Sequence, residues 1–547
     1  MSRDRLYLFD TTLRDGAQTA GVEFSLEDKI AIIDLLEELG VDYIEGGYPG
    51  ANPVDTAFFE KKRTRNATFT AFGMTKRAGR SAANDPGVQG LVNSAAAATC
   101  FVAKAWDYQV ELALGSTTDE HLEGLADTVR TAASAGKEVL IDLEHFFDGF
   151  KANPEYALSC VTTALEAGAR WVVLCDTNGG TMPSEVRTIV GTVLKFAPGE
   201  KLGIHPHDDT GQAVANALAA VETGVRQIQG TLNGLGERCG NANLVTLIPT
   251  LVLKPYYAER FETGITPEKL ERLTHISRAF DDRLNRAPAR QAPYVGAAAF
   301  ATKAGIHASA LLKDFSTYEH VPPETVGNER AIMVSQQAGK SNLLTALARH
   351  DIVLEKDDPR LEKLLSTVKE REAQGYSYDG ADASFAVLAR SVLGTLPSFF
   401  DVEHYRAMVE RRHNAQGEEI TVTEAVVKVR VDGQLLMSVA EGNGPVNALD
   451  QALRKDLGIY SSRIEDLELV DFKVRILDGG TGAVTRVLVE SRDGSGERWS
   501  TIGVSSNIID ASFEALYESI TYKLLKTEAV QSSSVLATAR PAQKATG

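Results

Sequence analysis

Short apolar runs alternate with amphipathic stretches through the first half of the chain. The runs at 6–12, 43–48, 68–73, 99–105, 138–143, 171–176, 202–207 and 227–232 read as strands. Helical patterns lie between most of them. One opens on Ser25 with Asp28 three residues on, a pair of capping-box type, and carries Leu26, Ile30, Ile33 and Leu36 along one side. Eight strand–helix repeats within roughly 250 residues is the count of a (β/α)8 barrel, with a doubly wound open sheet as the rival. Polar residues gathered at the C-terminal ends of several strands favour the barrel, which would bring them around one mouth.

The texture then changes twice. From 266 to 390 the pattern is mostly helical, interrupted by a Gly- and His-containing stretch at 294–318. Beyond Gly394-Thr395-Leu396-Pro397, Val427, Val429 and Val431 alternate with Lys428 and Arg430, as in a half-buried strand, and Phe513, Leu516, Ile520 and Leu524 mark a helix face. Asn447-Ala448 is followed by Ala452-Leu453, and Asp510-Ala511 by Ala515-Leu516 at the same spacing, each where a helix begins after a strand and a polar turn. The expectation is an α/β chain: a TIM barrel at 1–260, a helical linker or lid at 261–393, and an α+β regulatory domain of two pseudo-repeats at 394–528. A Ser/Ala/Thr-rich tail without periodicity, expected to be disordered, closes it at 529–547.

Composition narrows the function. Lys+Arg 57 against Asp+Glu 74 gives a net charge of −17 over 547 residues, a field that repels nucleic acid and anionic membrane. No window approaches the ~18 uninterrupted apolar residues of a membrane span, and the arginines of the first ten residues have no apolar stretch behind them, so no secretory signal is expected. Cys100, Cys160, Cys175 and Cys239 have neither paired nor zinc-type spacing and read as reduced thiols of a cytoplasmic protein.

The chemistry gathers at strand ends. Asp10-Thr11-Thr12-Leu13-Arg14-Asp15-Gly16 closes the first strand, His205-Pro206-His207-Asp208 the seventh, and Asn233-Gly234-Leu235-Gly236-Glu237-Arg238-Cys239-Gly240-Asn241 follows the eighth. Residues i and i+2 of a strand share a face about 6.5–7 Å apart, so His205 and His207 can reach one ion. A closed barrel pairs its first and last strands, which brings Asp15 and Asn241 to the same mouth. Two imidazoles, a carboxylate and an amide oxygen suit Mg2+, Mn2+ or Zn2+, with no thiolate to force zinc. The bland readings are a polar rim for the histidines and a surface ion pair for Arg14 and Asp15. Gly234-x-Gly236 lacks the third glycine and helix start of a dinucleotide loop. Cys239 reads as packing rather than nucleophile.

Leu13-Arg14-Asp15-Gly16, His205-x-His207 and Gly236-Glu237-Arg238-Cys239-Gly240-Asn241 together resemble the metal-dependent barrel synthases that condense acyl-CoA, among them the 2-isopropylmalate, homocitrate and citramalate synthases. The resemblance covers nearly the whole chain. Within that family, Glu45-Gly46-Gly47-Tyr48-Pro49-Gly50-Ala51-Asn52-Pro53 and Tyr318-Glu319-His320-Val321-Pro322-Pro323 look like the citramalate branch. Ala17 departs from it, since many relatives carry an acid there; Gln18 is retained.

The resemblance implies condensation of acetyl-CoA with a 2-oxo acid, pyruvate favoured, followed by thioester hydrolysis. It implies a divalent cation on Asp15, His205, His207 and Asn241. Arg14 would hold developing negative charge, with Gln18 and Thr177 on the acceptor. Glu144 would orient substrate and aid a proton transfer, and His307, with Tyr318 eleven residues on, would serve as base or relay from a segment that caps a partner subunit's barrel. A homodimer and feedback by isoleucine, with leucine as the alternative effector, follow from the same resemblance. The rivals are a 2-isopropylmalate synthase taking 2-oxoisovalerate, a homocitrate synthase, and a non-catalytic amino-acid sensor on a decayed barrel.

Overall fold

The computed structural model describes residues 3–538 apart from 285, 287, 303–306, 308–309, 312, 333–339, 414–416 and 478–482. Eight parallel strands close into a barrel: β1 (Tyr7–Asp10), β2 (Tyr43–Glu45), β3 (Thr68–Met74), β4 (Ala98–Lys104), β5 (Glu138–Glu144), β6 (Trp171–Asp176), β7 (Leu202–Pro206) and β8 (Gln227–Gly230). Closure is direct, with Tyr7 opposite Gln227 and Asp10 opposite Gly230. The first strand ends earlier than its apolar run suggests, because the Asp10 carboxylate takes the Thr12 N–H (2.9 Å) and hydroxyl (2.7 Å) and turns the chain.

Helix α1 (Leu26–Leu39) begins at Ser25 with both halves of the capping box made and ends at Gly40 in the left-handed region. Its Ile32, Ile33, Leu36 and Leu39 join the layer between barrel and helices. Inside the barrel, Phe9, Tyr43, Ala98, Cys100, Leu140, Trp171, Val173 and Cys175 fill the lower levels. Trp171 Nε1 donates to the Tyr43 hydroxyl (3.1 Å), which donates to Glu138 (2.6 Å), so the floor is plugged and these three groups are paired. Gln227, at the N-terminal start of β8, is buried with both amide atoms unpartnered among the described residues, and the polar side chains of the candidate site lie at the C-terminal rim.

Compactness divides the chain into two units, Met1–Phe300 with Glu319–Arg330, and Ala301–Tyr318 with Ala331–Gly547. The stretch expected as a separate linker at 261–393 is therefore shared between them. In the second unit, helices α2 (Pro359–Ala373) and α3 (Asp382–Val392) precede two three-stranded antiparallel sheets. Strands β9 (Asp401–His413), β10 (Glu419–Val431) and β11 (Gln434–Gly442) are followed by α4 (Pro445–Lys455); β12 (Glu468–Ile476), β13 (Thr485–Arg492) and β14 (Arg498–Ser505) are followed by α5 (Ile508–Thr538).

The repeated alanines have a packing cause. A Cβ on Gly442 would lie 2.6 Å from the Ala448 nitrogen, and one on Gly503 would lie 1.9 Å from the Ala511 oxygen. In each repeat the helix crosses its last strand where only glycine against alanine fits. The tail expected to be disordered from 529 is instead helical as far as Thr538, since extending an established helix costs little per residue. Residues 539–547 lie outside the described residues. No helix among the described residues is long and apolar enough to cross a membrane.

Candidate active site

Five predicted residues converge at the barrel mouth. Asp15 follows β1 at the start of a 3-10 turn, held by its N–H to the Thr11 carbonyl (2.8 Å). His205 projects inward from β7, and His207 lies just beyond it with ring centroids 5.2 Å apart. Asn241 pairs with His207 in an isolated antiparallel bridge. The loop that returns it is held by glycine: Gly240 has φ +93°, and a Cβ there would lie 1.9 Å from the Gly234 carbonyl oxygen. Arg238, itself at φ +55°, anchors the outside of this loop to Asp209 (2.7 Å).

Ligand atoms of Asp15, His205 and His207 lie within 4.8 Å of one another. Asp15 Oδ1, His207 Nδ1 and Asn241 Oδ1 are buried without a hydrogen-bond partner among the described residues. The other end of the Asn241 amide donates to the Leu235 carbonyl (3.0 Å), which fixes the direction of its oxygen. Buried polar atoms left without partners carry a penalty of about 1–3 kcal/mol each. Several such atoms converging, all of oxygen or imidazole type, are what a divalent cation would satisfy. The donor set fits the implied metal.

Electrostatics support it. Burial alone would raise the Asp15 carboxyl, but the Arg14 guanidinium (3.1 Å) and His205 (3.1 Å) hold it well below the usual carboxylate range. Burial would lower His205, and Asp15 reverses that, so its proton is held more tightly than usual. Burial and the neighbouring His205 push His207 down to about 4, leaving a neutral imidazole with a free lone pair at neutral pH.

Arg14 is fixed on three sides. Its Nε donates to Glu45 Oε2 (2.6 Å), an Nη faces Asp15, and the guanidinium lies 3.8 Å from the Phe72 ring centroid. Glu45 is fully buried; burial raises its carboxyl to about 7 despite Arg14, and Oε1 has no hydrogen-bond partner among the described residues.

The other predicted residues have different surroundings. Glu144, at the end of β5, pairs with Lys104 of the adjacent strand. Thr177, after β6, accepts the His145 N–H (2.8 Å), and its carbonyl accepts from Arg238 (2.7 Å). Gln18 is exposed in the short 3-10 helix after Asp15. His307 and Tyr318 belong to the second unit, where both are exposed and their rings stack with centroids 4.3 Å apart; Lys303 to Ile306 of the same motif lie outside the described residues. Cys239 is exposed and the other three cysteines are buried, all free.

Three residues escaped the sequence reading as site members: Glu45, Asp142 and Gln229. Their signal is period two, because Tyr43-x-Glu45, Asp142-x-Glu144 and Gln227-x-Gln229 place polar residues on the inward face of otherwise apolar barrel strands.

Comparison with known proteins follows the architecture. Residues 5–277 match the HMGL-like family model, 294–375 the homocitrate synthase post-HMGL domain-like model, and 379–524 the LeuA allosteric (dimerisation) domain. The chain is 45% identical over 530 residues to an (R)-citramalate synthase of Aquifex aeolicus, covering 96% of this chain and 99% of that one. It is 46% identical to that of Synechocystis sp. (95% and 96% covered) and 47% identical to that of Streptomyces coelicolor (96% and 97% covered).

Proposed function

Because this chain belongs to the (R)-citramalate synthase family, we propose a division of labour among its residues for the reaction of that family. The enzyme condenses acetyl-CoA with pyruvate and water to citramalate and CoA, in the service of branched-chain amino-acid synthesis. It depends on a divalent metal. Asp15, His205, His207 and Asn241 would hold the ion; when bound it supplies a Lewis acid to the acceptor's keto oxygen. The observation that carries this is the gathering of Asp15, His205 and His207 ligand atoms within 4.8 Å of one another, with atoms of Asp15, His207 and Asn241 buried and without hydrogen-bond partners among the described residues.

The difficult step is removal of a proton from the acetyl methyl. The His307 imidazole takes that proton, with Tyr318 stacked on its ring to hold its orientation. The carbanion carbon forms the new bond to the keto carbon of pyruvate. Arg14, held by Glu45 and Phe72, donates to the oxygen on which negative charge develops. Thr177 and Gln18 contact the acceptor carboxylate, and Glu144 orients substrate and hands on a proton. Water then cleaves the thioester, releasing CoA.

The second unit makes the enzyme a homodimer and receives the feedback effector, which we take to be isoleucine; the match to an allosteric and dimerisation domain supports both. The amino-acid carboxylate would approach the start of α4 or α5. At α5 the Asn507 side chain already occupies the Ile509 N–H (2.9 Å), and the adjoining cavity of about 790 Å3 is lined by Asp401, Glu403, Tyr405 and Asp510, which suit an ammonium group.

The test compares CoA release with pyruvate, 2-oxoisovalerate and 2-oxoglutarate, before and after chelator treatment and Mn2+ addition. Turnover that requires the ion and favours pyruvate is expected. Unchanged turnover after exhaustive chelation overturns the metal reading, and preference for 2-oxoisovalerate overturns the choice of acceptor. A pocket discriminating by methylenes separates substrates by only about 1–3 kcal/mol, so some cross-activity accompanies the expected result.

A further inference from the structure

One imidazole at the site is held from behind. His205 Nε2 lies 3.1 Å from Asp15 Oδ2, on the side where the orphaned ligand atoms converge, and Nδ1 lies 2.7 Å from Gln229 Oε1. Gln229 Nε2 in turn donates to Asp142 Oδ1 at 3.0 Å. All three side chains are inside the barrel: His205 is 4% exposed, Gln229 0% and Asp142 3%. They reach one another because β5, β7 and β8 each direct an inward side chain to the same level of the rim.

The order of donors and acceptors along this chain is forced at its far end. A carboxylate only accepts, so the NH2 of Gln229 must face Asp142 and its carbonyl oxygen must face His205. A carbonyl oxygen also only accepts, so His205 must carry a proton on Nδ1. With Nδ1 committed to Gln229, Nε2 is the nitrogen that faces Asp15 and is left to ligate a cation there. A flipped amide would set its oxygen against a buried carboxylate.

We propose that Asp142 and Gln229 are positioning residues for the cation site, fixing the tautomer and ring orientation of His205 through the relay Asp142–Gln229–His205. This rests on the metal reading above and assigns the relay no contact with substrate. Partners behind a ligating histidine typically govern 10–100-fold in metal affinity. The structure gives His207 a different environment: its Nδ1 has no partner among the described residues, so the orienting influence of β5 and β8 falls on His205 alone.

The test is calorimetric titration of Mn2+ into the chelator-stripped full-length protein. Gln229→Leu keeps the volume but removes the acceptor, and is expected to weaken Mn2+ binding 10–100-fold. The double variant D142N/Q229E reverses the donor order between positions 142 and 229 while still presenting an acceptor to His205 Nδ1. It is expected to bind within about threefold of the wild type. A merely structural role would not be rescued this way, because the exchange leaves the volume nearly the same in both variants. Should Gln229→Leu bind Mn2+ as tightly as the wild type, the proposal is overturned, as it is if D142N/Q229E binds as weakly as Gln229→Leu. Wild-type protein that takes up no Mn2+ overturns the metal reading, and this proposal with it. Wild-type uptake lost in His207→Ala, beside an unaffected Gln229→Leu, overturns the relay alone.

Discussion

Arg14→Ala separates what the Arg14–Glu45 pair does for stability from what it does for catalysis. Arg14 reaches Glu45 at 2.6 Å, and the Glu45 side chain has no exposure. Removing one partner of a buried pair strands the other, at a cost of ~3–5 kcal/mol while the survivor stays charged. Glu45 has an escape, since its carboxyl already stands near 7 with the guanidinium present. Without Arg14 its pKa rises further, and the group enters the folded state protonated.

The sign follows from proton binding. A folded carboxyl raised above its unfolded value contributes stability that is present at low pH and lost as pH rises toward the folded pKa. Arg14→Ala is therefore expected to be mildly destabilised near pH 6. Its deficit should deepen at higher pH, by at most ~1.4 kcal/mol per unit for one proton. R14Q/E45Q removes both charges; it should recover most of the stability and lose the pH dependence. Turnover should stay low in both variants, by about 10²–10³, because the donor to the developing charge is gone. Urea unfolding at three pH values, beside CoA release, reads both quantities. A pH-independent deficit in Arg14→Ala, with no recovery in the double variant, would refute the buried-pair argument. Restored turnover in R14Q/E45Q would remove Arg14 from catalysis.

Three further outcomes are expected. Gly240→Ala, at φ +93° with the Gly234 oxygen 1.9 Å from the new Cβ, should cost ~1–3 kcal/mol of stability and shift Asn241. Mn2+ titration should then show weakened binding, and wild-type affinity would contradict the loop's role. Glu518 donates to stability through its protonated form: burial raises it to about 8, and it accepts a hydrogen bond from Ser384, whose oxygen also takes the Ile502 N–H (2.9 Å). Stability from this group is full below about 4.5 and is lost as pH rises through about 8, so Glu518→Gln should flatten the pH dependence of unfolding over that window. His307→Ala should lower turnover about 10²–10⁴-fold with Mn2+ affinity unchanged, and near-normal turnover would dismiss it as the base.

The barrel was legible because its strands are buried on both faces and separated by amphipathic helices, so apolar runs alone located all eight. Asp15, His205, His207 and Asn241 were legible because each ends a strand or its following loop. Gln229 and Asp142 were not: they lie 87 residues apart, and nothing local marks a glutamine as the orienting partner of a histidine on the neighbouring strand. Arg14 stands out beside Asp15, whereas nothing in the sequence marks Glu45, 31 residues on, as its buried counter-ion. In the second unit, the alanine repeat signalled a duplicated element, and its cause, the glycines at Gly442 and Gly503 beneath the helices, needed the packing to be seen. The tail's helix to Thr538 carries no apolar period in its sequence; it is continuous with the packed helix face of Phe513, Ile520 and Leu524.

The central claim is a single divalent cation at the barrel mouth. An anomalous difference map at the zinc edge, from crystals of the full chain grown with Zn2+, tests it most directly. One strong peak is expected at about 2.0–2.2 Å from an Asp15 oxygen and one nitrogen each of His205 and His207. No peak there, in crystals whose barrel is otherwise intact, would contradict it.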